Sequence, residues 1–293
     1  MKKVRKAIFP VAGFGTRFLP ITKSQPKEML PIVDKPVIHY LVEEAVASGI
    51  EEIILVTGRG KQAIEDYFDI SFELEYNLVE RGKHDLLKEV AEIPNMARFV
   101  YVRQQIPRGD GHAILCAKNL IGNEPCAILY GDDLVRGDQP ALAQLIEVYQ
   151  QTGESVIGLT EIPNSETKKY GIVNGKKHDF CTNTIKLEQF IEKPDPKVAP
   201  SNLAVIGKYI LTPDILEELN KIKEGGSEDG EIRLADGIIE SIKKGLSING
   251  KLISGKRYDA GSKIGFLKAT IDFALEREDL RGELLEHLRN IEI

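Results

Sequence analysis

Val4-Arg5-Lys6-Ala7-Ile8-Phe9-Pro10-Val11-Ala12-Gly13-Phe14-Gly15-Thr16-Arg17 decides how the chain folds. Its apolar part is short and ends on two closely spaced glycines, so residues 4–11 read as a buried strand running into a tight loop. Such a loop lets backbone N–H groups approach anionic oxygens closely. Two better-known glycine motifs do not fit. A dinucleotide fingerprint needs a third glycine where Phe18 stands, and residues 13–18 lack the lysine and spacing of a Walker A loop. Arg17, and Lys27 within Gln25-Pro26-Lys27-Glu28-Met29-Leu30-Pro31, put fixed positive charge where a triphosphate would lie.

Outward from this loop, strand-like and helix-like stretches alternate. The 3.6-residue spacing of Val37, Ile38, Leu41, Val42, Ala45 and Val46 predicts a helix over 36–48, with Gly49 as its stop. Strands are predicted over 53–57, 99–103, 126–130 and 155–159, and helices over 61–68, 111–119 and 139–151. This alternation predicts an α/β fold, a Rossmann-like, mostly parallel mixed sheet flanked by helices. Beyond about residue 160, strand-like runs over 171–174, 185–191 and 203–211 are separated by turns, which predicts a β-rich sub-region added to the same sheet. Helices return over 213–223, 232–244 and 264–277, and a charged helical tail ends the sequence. The most loop-like stretch, 224–230, is too short to require a domain boundary. The chain thus reads as one domain over 1–293, with a first half over about 1–135, a second half over about 136–261 and C-terminal helices over about 262–293.

Bulk properties narrow the function. The length of 293 residues suits one large α/β domain, and 42% hydrophobic with 29% charged residues describes an ordinary globular protein. No window approaches a membrane span, and the basic start Met1–Lys6 is followed by an apolar run cut at Pro10, unlike a secretion signal. Cys116, Cys126 and Cys181 have no C-x-x-C spacing, which argues against a disulfide framework or a zinc site and fits a reducing cytoplasm. The histidines form no H-E-x-x-H pattern. A formal charge of −6 disfavours a nucleic-acid surface without excluding a local basic pocket.

The G-x-G-T-R loop, followed by P-K-E-M-L-P, resembles the signature of the sugar-nucleotide pyrophosphorylases, nucleotidyltransferases that act on sugar 1-phosphates. The resemblance runs from Lys6 to about Arg277 and includes Asp69-Ile-Ser-Phe-Glu-Leu-Glu75, Gly109-Asp-Gly-His-Ala113, Gly131-Asp132-Asp133, Phe190-Ile-Glu-Lys-Pro194, Ala199-Pro-Ser-Asn-Leu-Ala204 and Gly230-Glu-Ile-Arg-Leu-Ala-Asp236. P-K-E-M-L-P, S-F-E-L-E and A-P-S-N-L-A point to the uridylyl branch. This implies UTP and glucose 1-phosphate as substrates, UDP-glucose and pyrophosphate as products, Mg²⁺ as cofactor, and a homo-oligomer (dimer or tetramer) with no nucleic-acid or membrane partner.

The implied reaction brings two polyanions together, so it needs positioning and charge neutralisation more than a strong base. Arg17 and Lys27 would neutralise the triphosphate, with Gly15 and Thr16 in the same loop. Asp132, just beyond a parallel strand, lies where such sheets bind ligands and can hold Mg²⁺; the resemblance adds Asp259 as a second carboxylate. Asp133 reads equally as a metal neighbour, a turn residue or a helix cap. The resemblance places Glu192 on the glucose hydroxyls, Lys193 on the sugar phosphate, Gly171 beside the ring, and Asn202 and Val205 on the far wall of that pocket. Ala12, Gly13, Gln104 and Gly109 match base-contacting positions, with Gln105 open as an alternative to Gln104. His112 receives no catalytic role. A thymidylyl-, guanylyl- or adenylyltransferase, or a non-catalytic paralogue that regulates the active enzyme, would share much of this pattern. A dinucleotide-dependent oxidoreductase is disfavoured by the loop itself.

Overall fold

A computed structural model of the protein describes residues 1–222 and 230–292. In chain order its strands are β1 (Lys6–Pro10), β2 (Pro31–Ile32), β3 (Lys35–Pro36), β4 (Glu52–Thr57), β5 (Arg98–Arg103), β6 (Cys126–Leu129), β7 (Asp133–Arg136), β8 (Ser155–Glu161), β9 (Gly171–Lys177), β10 (Thr184–Glu192), β11 (Leu203–Leu211), β12 (Ile248–Leu252) and β13 (Lys256–Asp259). Nine of them form one sheet in the order β5-β4-β1-β6-β11-β8-β12-β10-β9. β5, β4, β1 and β6 are mutually parallel, whereas β11 runs antiparallel to both β6 and β8. The expected α/β sheet with an added β-rich part is therefore what forms.

Strand β1 sits near the middle because both of its faces are apolar. Ala7, Phe9 and Val11 enter one core and Ile8 the other; in β4, Ile53 and Leu55 enter the first, and Ile54 and Val56 the second. The first core is capped by helices Val37–Ala47 and Ala141–Thr152, the second by Asp110–Cys116, Pro213–Lys221 and Leu234–Lys243. Successive side chains of a strand point to opposite faces, so these runs demand helices on both sides. From β1 the chain builds outward through β4 to β5 and then returns to place β6 on the other side of β1. The strand order reverses between β1 and β6, and a ligand crevice opens at such a point beyond the carboxyl ends of the strands.

The β-rich part curls. β9 pairs with β10 along one side and, through Ile172 and Val173, with Ala204 and Leu203 of β11 on the other. A further pairing has no local signal in the sequence: β7 and β13 form a separate antiparallel ribbon in the register Asp133↔Asp259. Helices Phe72–Glu80 and His84–Glu92 are likewise absent from the sequence-based expectation, for a physical reason. Leu78 is the one buried residue of the first, and the second buries none, so neither carries a core-facing stripe to read. The stretch expected as a loop over 224–230 lies, except for Gly230, outside the described residues, as does the last residue of the helix expected over 213–223.

One ionic contact ties the two halves of the sheet to the first core. Lys208 on β11 is fully buried, and its ammonium donates to Oε2 of Glu44 at 2.8 Å, while Oε1 of Glu44 accepts from the Leu142 N–H at 2.9 Å. Removing one member of such a pair strands a charge in a dry environment. Glu44→Ala should therefore destabilise the protein by about 3–5 kcal/mol in urea unfolding, and Glu44→Leu combined with Lys208→Met should recover most of that loss.

Candidate active site

At the carboxyl ends of β1 and β6 the residues picked out by the glycine loop and the G-D-D element meet. Gly15 adopts a left-handed backbone (φ 65°), and a Cβ there would press at 3.2 Å on both Lys27 Cβ and Thr22 Cγ2, so the loop closes directly over Lys27. The Lys27 ammonium donates to Oδ2 of Asp132 at 2.5 Å. Arg17 reaches across to donate to the Gly261 carbonyl at 3.2 Å. Asp132 and Asp259 are neighbours around Gly261: a methyl group in place of its hydrogen would collide with Oδ2 of Asp132 and stand 3.1 Å from Oδ1 of Asp259. Arg17, Lys27, Asp132 and Asp259 thus occupy one place.

Its electrostatics are balanced. Burial alone would raise the Asp132 pKa, but the Lys27 charge and hydrogen bond, with Arg17 and Arg257 further off, outweigh it and leave the group below its ordinary value. Burial likewise opposes the charge on Lys27, and Asp132 with Glu28 more than restore it. Glu28 is itself buried against Lys61, at 2.9 Å. The second aspartate of G-D-D does something else. Asp133 belongs to β7, accepts two bonds from the Arg257 guanidinium at 2.8 Å each, and accepts from the Gly207 N–H at 2.8 Å. It is neither a turn residue nor a helix cap; it fastens β7 to β13 and β11. Arg257 also lies 5.1 Å from the centre of the Tyr170 ring.

A cleft of about 950 Å³ opens from this cluster. Arg17, Asp132 and Asp259 line one part of it, and Gly171, Glu192 and Val205 another. A Cβ on Gly171 would meet the Phe190 ring at 2.6 Å and Glu192 Oε2 at 3.1 Å, so this glycine makes room for the pocket's own side chains. Lys193 and Asn202 are not among the lining residues, and neither are Lys27, which reaches the cleft only through Asp132, or Ala12, Gly13, Gly15, Thr16, Gln104 and Gly109. Lys193 extends from the end of β10 in a left-handed conformation (φ 49°), exposed, with its ammonium 3.5 Å from Glu192. Asn202 is exposed, and its carbonyl accepts from the Ile162 N–H at 3.1 Å.

The base-contacting candidates lie along the same edge. Ala12 and Gly13 follow β1, and Gln104 follows β5. Gln104 is buried, donates to the Gly109 carbonyl at 2.9 Å and lies 2.9 Å from Nδ1 of His112, while Gln105 is exposed. A Cβ on Gly109 (φ 97°) would stand 2.5 Å from the Ile232 carbonyl oxygen, so only glycine fits that bend. Burial, then the charge of Arg108, lowers the His112 pKa and keeps its ring neutral as a partner for Gln104. Sequence reasoning passes over His112, Tyr170 and Arg257; the signals that could have found them are adjacency to the Gly109 and Gly171 segments and to Asp259.

The sequence and the fold are those of a known group of proteins. The profile of the nucleotidyl transferase family matches residues 6–270. The chain belongs to that family. Within the nucleotidyl transferases it is 48% identical over 293 residues to the UTP–glucose-1-phosphate uridylyltransferase of Bacillus subtilis strain 168, covering 99% of this chain and 98% of that protein. Its fold matches a UTP-bound UGPase from Acinetobacter baumannii with a TM-score of 0.90 at 39% identity, over 99% of this chain and 100% of that one. A UDP-glucose pyrophosphorylase complexed with UDP-glucose matches with a TM-score of 0.84 at 43% identity, over 94% and 100% of the two chains.

The donor set fits a small divalent cation. Asp132 and Asp259 present carboxylate oxygens side by side against Gly261, and among the described residues no group of three or more His, Cys, Asp or Glu forms a closed cage. Two carboxylates leave positions for substrate phosphates and water, as Mg²⁺ requires. Gly261→Ala should push the carboxylates apart: we expect divalent-ion affinity, read by Mn²⁺ titration in the presence of nucleotide, to fall at least about tenfold, with thermal unfolding shifted by only a few degrees.

Proposed function

We infer that this nucleotidyl transferase is a UTP–glucose-1-phosphate uridylyltransferase, joining the two substrates into UDP-glucose and releasing pyrophosphate. The observation that carries the reading is the meeting of Arg17, Lys27, Asp132 and Asp259 at one end of a cleft that also holds Glu192 and Gly171. The relatives above, similar over nearly the whole chain, support the substrates by their names.

An oxygen of the sugar phosphate attacks the α-phosphorus of UTP, and pyrophosphate departs in line. A phosphate dianion is already nucleophilic, so the protein's task is to hold and neutralise. Mg²⁺, bound by Asp132 and Asp259, would supply a Lewis-acidic charge to the phosphate oxygens. Arg17 and Lys27 offset the triphosphate charge, and backbone N–H groups around Gly15 and Thr16 receive its oxygens. Uracil lies over Ala12, Gly13 and Gly109; with the Gln104 amide nitrogen committed to Gly109 and His112, its carbonyl accepts from the base N3–H. Glu192 accepts from glucose hydroxyls, Lys193 swings from beside Glu192 onto the sugar phosphate, and Gly171, Asn202 and Val205 bound the sugar. On this reading residues 1–135 serve the nucleotide, 136–261 the sugar, and 262–293 form the C-terminal helices.

Among the described residues no helix is long and apolar enough to cross a membrane, and all three cysteines are free. The free thiols support action in a reducing cytoplasm.

Purified protein with UTP, glucose 1-phosphate and Mg²⁺ should release pyrophosphate; nucleotide binding without turnover would leave the non-catalytic alternative standing instead. Asp132→Asn should cut turnover severely at every Mg²⁺ concentration, since a neutral amide is a poorer ligand; rescue by modest Mg²⁺ would move the metal role to another carboxylate. Lys193→Ala should raise KM for glucose 1-phosphate more than it weakens UTP binding, and equal losses would contradict its assignment.

A further inference from the structure

The cleft contains an acidic side chain to which the mechanism gives no task. Asp110 lines it together with Tyr130, Glu192 and Tyr209. Tyr130, the residue before Gly131-Asp132, donates its hydroxyl hydrogen to Oδ2 of Asp110. Tyr209 packs edge-on against Tyr130 with ring centres 5.8 Å apart, and the charges of both Asp110 and Glu192 reach the two tyrosines.

Each partner is clamped from behind. A Cβ on Gly111 would stand 2.8 Å from the carbonyl carbon of Arg233, and one on Gly207 would stand 2.8 Å from Tyr130 Cβ, so the backbones carrying Asp110 and Tyr130 have little freedom. The Ile232 N–H donates to the Arg108 carbonyl at 2.8 Å and the His112 N–H to the Ile232 carbonyl at 3.3 Å, fastening the loop on both sides of Asp110. An ionised carboxylate has about four acceptor positions, and Tyr130 takes one. What remains faces a cleft whose ligand is rich in hydroxyl groups.

We propose that Asp110, oriented by Tyr130, accepts a hydrogen bond from a hydroxyl of the hexose and so helps select the sugar 1-phosphate. The proposal rests on the uridylyltransferase reading and deepens it by adding a second sugar-reading carboxylate to Glu192. Tyr130 acts through Asp110 and is a positioning residue. A site built to bond a hydroxyl discriminates strongly against an analogue lacking it, because the buried acceptor is then left unmatched.

The test compares wild type, Asp110→Leu, Asp110→Asn and Tyr130→Phe with glucose 1-phosphate and its 2-, 3-, 4- and 6-deoxy analogues. Asp110→Leu should raise KM for glucose 1-phosphate about 10- to 100-fold with a much smaller change in kcat and an unchanged UTP dissociation constant. Tyr130→Phe should move KM in the same direction by less. One deoxy analogue should be poor for wild type yet no worse than glucose 1-phosphate for Asp110→Leu, with Asp110→Asn between them. The proposal is overturned if the variants remain as sensitive as wild type to every deoxygenation. It is also overturned if the loss appears in UTP affinity, or in discrimination between UTP and 2′-deoxy-UTP, which would assign the carboxylate to the ribose. Should Asp110→Leu not fold, Asp110→Asn and Tyr130→Phe decide between the same outcomes with the same analogues. Absence of turnover by wild type on UTP and glucose 1-phosphate would instead overturn the underlying function.

Discussion

Asp132 and Asp259 come from distant parts of the sequence, and the pairing of β7 with β13 makes them neighbours. Two carboxylates so placed repel each other unless cations intervene, and the molecule meets this constraint at three levels. Lys27 neutralises Asp132 directly, Arg17 stands close by on the Gly261 carbonyl, and Arg257 is locked to Asp133 immediately behind. The Arg257–Asp133 pair holds the ribbon in register and occupies the second aspartate of G-D-D.

On the proposed reading the same balance explains how an acidic protein can bind a nucleoside triphosphate and a sugar phosphate. A net charge of −6 repels anions at long range, but within the cleft the fixed cations lie on the glycine loop and its continuation, where screening is weak. In the free protein Lys27 is occupied by Asp132. On the proposed reading Lys27 would turn to a phosphate and Asp132 would hold the divalent ion once a triphosphate is bound, so that both charges stay compensated.

Much of this was legible in the sequence because the relevant signals are local. An apolar run followed by Gly13 and Gly15 fixes a strand and its loop. An apolar run ending at Gly131-Asp132 fixes a second site on the same edge. The alternating pattern between them supplies the sheet. What could not be read depends on pairing across long distances. Nothing near Asp133 announces Arg257, and the ribbon joining them follows no periodic pattern. Helix Phe72–Glu80 escaped because most of its apolar residues, Phe72, Leu74, Tyr76 and Val79, are exposed, and helix His84–Glu92 because it sends no side chain into the core. Lys193 was legible as the end of a strand but not as a residue standing outside the cleft lining, since a left-handed turn after Glu192 decides where it points.

The curl of the β-rich half also governs how the molecule meets other chains. Because β9 reaches back to β11, that flank of the sheet presents little unpaired backbone, and the open side is left to β5. An unguarded border of this kind invites foreign strands to dock and aggregate. Here it begins with Arg98 and ends with Arg103, both exposed, so a newcomer aligning with the sheet would first have to bury or displace two guanidinium groups. One border of the sheet is thus closed by the bend and the other guarded by charge.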